Sequence, residues 1–165
     1  MLKIIHAQLK DLPKIVAIYN QSIPSRLATA DLEEITVASR EAWFHAHQPD
    51  TRPLWIIQEA EEIIGWLSLS DFYGRPAYQQ TAEISIYLAD TCQGKGIGQA
   101  ALTFVESQLS QLNVTTLLAF VFAHNTSSIH LFEKNGFTTW GLLPEVALMD
   151  QDRRDLQILG KKYSS

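Results

Sequence analysis

Apolar and polar residues recur with two different periods along this chain, and the places where the period changes predict its elements. Leu2–Ala7 reads as a first strand. Leu12, Ile15, Val16, Ile18 and Tyr19 then recur at helical spacing. Asp11 is placed as the N-cap of that helix, Pro13 falls early in its first turn, and Pro24 ends it. Residues 25–37 hold a loop with Asp31-Leu32-Glu33-Glu34. A second helix is predicted over about Ala38–His47, anchored by Trp43 and Phe44, and Pro49 and Pro53 bound the loop behind it. Leu54–Glu59 and Ile63–Ser70, joined by the polar Ala60-Glu61-Glu62, form a hairpin pattern. In Ala82–Leu88 the period is two: Glu83, Ser85 and Tyr87 face one way, and Ala82, Ile84, Ile86 and Leu88 the other.

Ile97–Leu112 reads as a helix, and Thr115–Phe122 as a nearly continuous apolar strand buried on both faces. Asn125 is placed as the N-cap of a helix running to Asn135, with Gly136 just past its end. Phe137–Leu143 and Asp155–Leu159 are predicted to close the sheet, and Lys161–Ser165 to form a frayed end. The order (strand, two helices, three strands, helix, strand, helix, strands) implies an α/β domain with a mixed sheet. A chain of 165 residues fits one domain with a sizeable core. The net charge of −5 argues against a general nucleic-acid binder. The single cysteine, Cys92, excludes an intrachain disulfide and fits a cytoplasmic location. The start is too short and soon too polar for a signal peptide, and no apolar run approaches the roughly 18 residues of a membrane helix, so no membrane segment is expected.

Candidate chemistry concentrates in Gln93-Gly94-Lys95-Gly96-Ile97-Gly98, a glycine-rich turn from a strand into a helix N-terminus. Free backbone N–H groups and the helix dipole make such a turn an anion cradle. As a dinucleotide site, Gly96-Ile97-Gly98-Gln99-Ala100-Ala101 matches G-x-G-x-x-A, but the next strand ends Phe120-Val121-Phe122-Ala123-His124-Asn125, with no carboxylate for a ribose. A P-loop needs G-x-x-x-x-G-K-[S/T], which the chain lacks. The third reading is a coenzyme A pyrophosphate site, because Gln93–Gly98 fits Q/R-x-x-G-x-G/A, the signature of the GNAT acetyltransferases.

Two further segments carry the resemblance to that family. Asn125-Thr126-Ser127-Ser128-Ile129-His130-Leu131-Phe132-Glu133-Lys134-Asn135-Gly136-Phe137 resembles its N-x-x-x-x-x-[LF]-[YF]-E-[KR]-x-G-F segment. Arg75-Pro76-Ala77-Tyr78-Gln79-Gln80-Thr81-Ala82-Glu83 is similar to the R-x-A-Y-x-x-T-A-E segment of the phosphinothricin (methionine sulfoximine) N-acetyltransferases, with Tyr73-Gly74 and Tyr87 also fitting. The resemblance covers essentially the whole chain. It implies the GNAT fold, a mixed sheet of about six to seven strands flanked by about four helices, in one domain over residues 1–165. It also implies acetyl-CoA as cosubstrate, no metal and a homodimer.

The resemblance distributes roles. Gln93, Gly94, Lys95, Gly96, Ile97, Gly98 and Gln99 would hold the cofactor's phosphates; Ile86, Tyr87 and Leu88 would pair with its pantetheine arm, Leu88 N–H being the oxyanion donor; Asn125 and Ser128 would contact the arm from the other side. For Asn125 the alternative is a plain helix cap, and the two are compatible. Glu83 is the expected base, its pKa raised by burial; the alternative is an ion pair, with Arg75 as partner. Many relatives carry a tyrosine acid where this chain has Phe132, which has no proton to give, and Tyr87 is the fallback. Arg75, Pro76, Ala77 and Tyr78 match the subfamily's anion-binding segment, and a guanidinium suits a bidentate carboxylate or phosphinate. Ser25 stands where related enzymes carry a substrate-holding glutamate, with Asp31 or Glu33 as substitutes. Cys92 reads as a packing residue, the pairs His45/His47 and His124/His130 as no metal site, and Trp43, Trp55, Trp66 and Trp140 as core. The expected function is direct N-acetylation of a small amino-acid-like amine. The alternatives are a polyamine or protein N-terminal acetyltransferase, or a non-catalytic acyl-CoA-binding module.

Overall fold

Seven strands form one sheet in the computed structural model, which describes residues 1–164. They are β1 (Leu2–His6), β2 (Leu54–Glu59), β3 (Glu62–Asp71), β4 (Thr81–Leu88), β5 (Thr116–Phe122), β6 (Thr138–Met149) and β7 (Asp152–Lys162). Their order across the sheet is β1-β2-β3-β4-β5-β7-β6. Every neighbouring pair is antiparallel except β4 with β5. Four α-helices flank the sheet: α1 (Leu12–Ser22), α2 (Glu41–Ala46), α3 (Ile97–Leu112) and α4 (Thr126–Lys134). The α/β, mixed-sheet expectation holds.

Alternation along β2–β4, broken by a bulge where Ile57 faces Gly65 and Gln58 faces Ile63, divides the core between the two faces. Trp55, Ile57, Leu67, Leu69, Ala82 and Ile84 pack with α3 and α4 through Ala101, Leu102, Val105 and Phe132. Leu54, Ile56 and Trp66 point the other way and pack with Ile15, Ile18, Tyr19 and Ile23 of the α1 region. β5 is buried on both faces, as its apolar run predicts: Leu117, Leu118, Ala119, Val121 and Phe122 are all buried. Each of the buried Leu, Val and Phe side chains contributes roughly 1.5–3 kcal/mol relative to exposure.

Boundaries differ where polar residues or proline masked the pattern. Asp11 precedes α1 as expected, but its carboxylate does not cap that helix; it accepts a 2.8 Å bond from the Gln8 N–H behind it. The helix expected over Ala38–His47 is a 3-10 turn, Ala38–Arg40, leading into the short α2. The C-terminal strands are longer than predicted. Pro144 lies inside β6, tolerated because the register shifts between Leu143 and Ala147, with Glu145 at φ 53° and its N–H bonded to Asp155 at 2.8 Å. The expected frayed end is overturned up to Tyr163, whose N–H donates to Thr115 O at 2.7 Å, and Ser165 lies outside the described residues. Lys161 and Lys162 pair with Leu117 and Thr116 of β5. The Lys161 ammonium meets Glu106 at 2.9 Å, and Tyr163 donates to the same carboxylate at 2.6 Å. Among the described residues no helix is long and apolar enough to cross a membrane.

Candidate active site

The parallel pairing of β4 with β5 covers only Thr81↔Thr116, Ala82↔Leu117 and Glu83↔Leu118. Beyond that point β4 stays on β3 as far as Leu88, and β5 stays on β7 as far as Phe122. The two central strands therefore splay apart. The β4 edge from Glu83 to Leu88, roughly 16 Å at strand rise, loses its β5 partner. Peptide direction alternates along a strand, and Ala89 N–H donates to Ile64 O beside β3 at 2.8 Å. By parity the N–H groups of Ile86 and Leu88 face away from β3, into the gap. Both side chains are half-buried.

Glu83 stands at the apex of the splay, half-buried and directly opposite Ser70. Burial alone holds its carboxyl above the ordinary glutamate range. No cation lies within ion-pair distance of Glu83 among the described residues, and Arg75 is likewise unpaired there, so the Glu83–Arg75 ion pair does not form. Tyr87, two positions along the same face, donates to Ala28 O at 2.8 Å, and burial pushes its phenol far up.

The glycine turn lies at the far end of the splayed edge. Gly94 (φ 73°) and Gly96 (φ 77°) adopt left-handed backbone, with nothing within 4 Å of where a Cβ would stand. Backbone conformation, not crowding, requires glycine at both. Gly96 is the N-cap of α3 and has no side chain to occupy the first-turn N–H groups, which leaves them for an anion. Gln93–Gly96 are exposed, and the Gln93 amide donates to Leu88 O at 3.3 Å, tying the turn to the end of β4. Gly98 does different work: a Cβ there would stand 3.2 Å from Leu131, so it sets the approach of α3 to α4. Gln99 joins the same helices through bonds of 2.9 and 2.8 Å with Asn135, and Ile97 is core.

Across the gap, Asn125 is buried, caps α4 by accepting from Ser128 N–H at 3.3 Å, and donates to Leu27 O at 3.2 Å. His124 Nε2 lies 2.9 Å from Arg26 O. Three successive carbonyls of the loop after α1 (Arg26, Leu27 and Ala28) are thus held by residues on either side of the splay. A bidentate contact of Arg26 with Asp150, at 2.7 and 3.3 Å, ties the same loop to the β6–β7 turn.

The Acetyltransferase (GNAT) family profile matches residues 13–137, from α1 to the end of the α4 segment. The chain belongs to the GNAT acetyltransferases. It is 45% identical over 159 residues to a Bacillus subtilis (strain 168) protein named "Putative phosphinothricin acetyltransferase YwnH", covering 96% of this chain and 97% of that one. It is 30% identical over 141 residues to the "L-methionine sulfoximine/L-methionine sulfone acetyltransferase" of Pseudomonas paraeruginosa (strain DSM 24068 / PA7), covering 85% and 82%. Its fold superposes, at a TM-score of 0.92 and 26% identity over 99% of this chain and 89% of the other, on a GNAT superfamily phosphinothricin acetyltransferase from Sinorhizobium meliloti in complex with AcCoA. The protein is an acetyl-CoA-dependent N-acetyltransferase, and a non-catalytic binding module is set aside.

Within this GNAT domain several expected residues sit apart from the splay or are already engaged. Arg75, Pro76, Ala77 and Tyr78 are exposed in the β3–β4 loop, where with Tyr73 they line an open hollow at the start of β4. Phe132 is core, edge-on to Phe137 at 5.0 Å. Ser25 is spent locally on Ser22 O at 2.9 Å. Asp31 accepts from the Tyr19 hydroxyl and meets Arg40 at 3.2 Å. Of the tryptophans expected in the core, Trp55 and Trp66 are there, while Trp43 is only partly buried and Trp140 is on the surface. Trp140 is 45% exposed on the edge strand β6. Trp43 and Trp66 line a cavity of about 140 Å³ between α1, α2 and the Glu83 face of β3–β4. The other residues of that cavity (Tyr19, Arg40, Ser68, Ser70, Ser85 and Tyr87 among them) had one visible signal, the serines alternating with Leu67 and Leu69 inside an apolar strand.

Proposed function

We propose that the enzyme N-acetylates the α-amine of a small amino acid of the phosphinothricin or methionine sulfoximine type by direct transfer between two bound partners. The observation that carries the reading is the end of β4–β5 pairing at Glu83, which leaves a desolvated, unpaired carboxylate at the closed end of a backbone-lined gap. The cofactor's phosphates sit on the first-turn N–H groups of α3 and the Gln93–Gly98 turn, and its pantetheine arm lies along Ile86–Leu88. Asn125 keeps one amide hydrogen for that arm beside its cap and its bond to Leu27. Glu83 takes a proton from the ammonium group, directly or through a water, and its raised pKa makes it a stronger base. The free amine attacks the thioester carbonyl, whose developing oxyanion accepts from Leu88 N–H. The C–N bond forms, the C–S bond breaks, coenzyme A leaves as its thiolate, and the second proton, shed by the new amide nitrogen, passes to that thiolate or to water. Phe132 gives no proton, and Tyr87 is committed to Ala28 O, so no dedicated acid is assigned. Arg75, without a carboxylate partner and at the start of β4, receives the substrate's carboxylate, with Pro76, Ala77 and Tyr78 shaping that end.

A panel of amines with acetyl-CoA, read by free-thiol release, tests the reading. Turnover is expected with neutral or anionic amino acids and not with polyamines. Turnover confined to polyamines or peptide N-termini would reverse it.

A further inference from the structure

Two arginines meet the loop between β3 and β4, and they spend their donors differently. Arg75 is exposed on the loop and has no carboxylate partner among the described residues. Arg52, in the turn before β2, has a side chain only 11% exposed, and its guanidinium is spent on the protein. Its Nε meets Asp71, the last residue of β3, at 2.7 Å. Its Nη2 donates to Gln79 O at 2.7 Å and to Thr81 O at 3.4 Å, where β4 begins. Its Nη1 donates to Thr51 O at 2.9 Å. One planar fork thus grips both ends of the loop from separate nitrogens, which a lysine ammonium does not reproduce.

The loop depends on such a grip. Residues 73–80 are exposed and Phe72 is half-buried, so little apolar burial fixes it. Tyr73 and Gly74 are both left-handed, at φ 62° and 65°, a conformation that costs a tyrosine energy and persists where its surroundings enforce it. Phe72, Tyr73 and Tyr78 touch one another with ring centroids 4.7–5.8 Å apart, and Tyr78 N–H donates to Arg75 O at 2.9 Å. Those contacts fix the loop's shape but not its placement on the sheet. Arg52 supplies placement from a firm base. Its backbone exchanges two bonds of 3.0 Å with Gln48, and the next residue, Pro53, is buried and accepts from Leu69 N–H of β3 at 3.1 Å. The other oxygen of Asp71 lies 3.9 Å from where a Cβ on Gly74 would stand, next to Arg75 in the chain. By engaging Asp71, Arg52 also removes a local competitor for the Arg75 guanidinium.

We propose that Arg52 is a positioning residue for amine binding: it holds both ends of the β3–β4 loop and occupies Asp71, and so keeps Arg75 placed and unpaired for the substrate's carboxylate. Arg52 itself does not touch the substrate. The proposal rests on the reading of Arg75 as the carboxylate clamp. A loosened loop must be ordered when the amine binds, and that cost falls on the amine KM, not on acetyl-CoA. The Asp71↔Ala82 pair and the 2.9 Å bond from Thr115 N–H to Gln80 O remain without Arg52, so its loss should loosen the loop without opening the sheet.

The experiment measures kcat and KM of the full-length enzyme for acetyl-CoA and for L-phosphinothricin or L-methionine sulfone, whichever turns over faster. The variants are Arg52→Gln, Arg52→Lys, Arg75→Ala and the double Arg52→Gln/Arg75→Ala, with melting temperature as the folding control. Arg52→Gln is expected to raise the amine KM about three- to tenfold, with kcat within about twofold and the acetyl-CoA KM unchanged. Arg52→Lys keeps a charge for Asp71 but loses the fork, so it should raise the amine KM as well, and it tests the idea should the glutamine variant fold poorly. The double variant should be no worse than Arg75→Ala alone, because Arg52 acts through Arg75. An unchanged amine KM in folded Arg52 variants, an acetyl-CoA KM that rises in step, or multiplied effects in the double variant would overturn the positioning role. An Arg75→Ala enzyme with wild-type amine KM, or a wild type that turns over neither amino acid, would instead remove the clamp on which it rests.

Discussion

As the proposed base, Glu83 sets stability against chemistry. Its carboxyl has lost water and gained no ion pair, so its folded pKa lies above the ordinary value near 4.5. A raised carboxylate pKa means the folded state binds more protons than the unfolded one between the two values, so this group's contribution to stability falls as pH rises through that window. Glu83→Gln is therefore expected to melt higher than wild type at pH 7, with the difference closing below about pH 4. The same change should lower kcat by roughly 10²–10⁴, the usual worth of a general base, with acetyl-CoA affinity unchanged. Thermal melts across pH and steady-state kinetics check both, and unaltered kcat at neutral pH would remove the base assignment. Arg75 makes the second prediction at this scale. Exposed and unpaired, it carries little of the fold, so Arg75→Ala should raise KM for a carboxylate-bearing amine by about tenfold with Tm unmoved; an unchanged KM would sink the anion clamp.

At the scale of elements, the turn into α3 separates two uses of glycine that one motif fuses. Gly96→Ala forces a left-handed residue to carry a Cβ, at a cost of roughly 1 kcal/mol, and crowds the approach to the α3 N-terminus. Weaker acetyl-CoA binding with unchanged amine KM is expected by calorimetry and kinetics. Gly98 lies within the same signature yet spaces α3 from α4, a role that becomes visible only when a Cβ placed on it is found to stand 3.2 Å from Leu131. The C-terminal strand makes the other element-scale prediction. Its end looked frayed because Lys161-Lys162 is a polar run, but β5 pairs with the backbone of both lysines and Glu106 holds the Lys161 ammonium and the Tyr163 hydroxyl. Tyr163→Phe removes a 2.6 Å bond to a carboxylate and should lower stability by about 1–2 kcal/mol in denaturant melts, without affecting KM for acetyl-CoA.

For the whole molecule, the sheet ends on one side at β6, where Trp140, Leu142, Leu143, Val146 and Leu148 are 41–57% exposed. An edge strand so apolar favours association with another copy unless it is covered. The homodimer that family resemblance implies should therefore use this edge. Light scattering is expected to give twice the mass of 18.6 kDa for wild type and a shift toward monomer for Leu142→Lys/Val146→Lys. A wild-type monomer at micromolar concentration would reject the interface.

Local chemistry explains which features could be read from the chain alone. Apolar periodicity placed β2–β5, α1 and α3 nearly to the residue, because each buries one or both faces and its sequence repeats the period of its backbone. The glycine turn was legible because left-handed backbone at Gly94 and Gly96 favours glycine whatever surrounds it. The cofactor and the family followed from such local strings. Features made by distant segments were not legible. The β4–β5 splay is a difference in direction between two strands that look alike in sequence. The cavity joins Tyr19, Trp43, Trp66 and Ser85, which lie far apart in the chain, and tryptophans that line a hollow have the same composition as tryptophans that fill a core. The Arg26–Asp150 tether spans 124 positions. Periodicity reports which face of an element is buried, whereas packing of the elements against one another decides what each face meets, because that depends on segments distant in the chain.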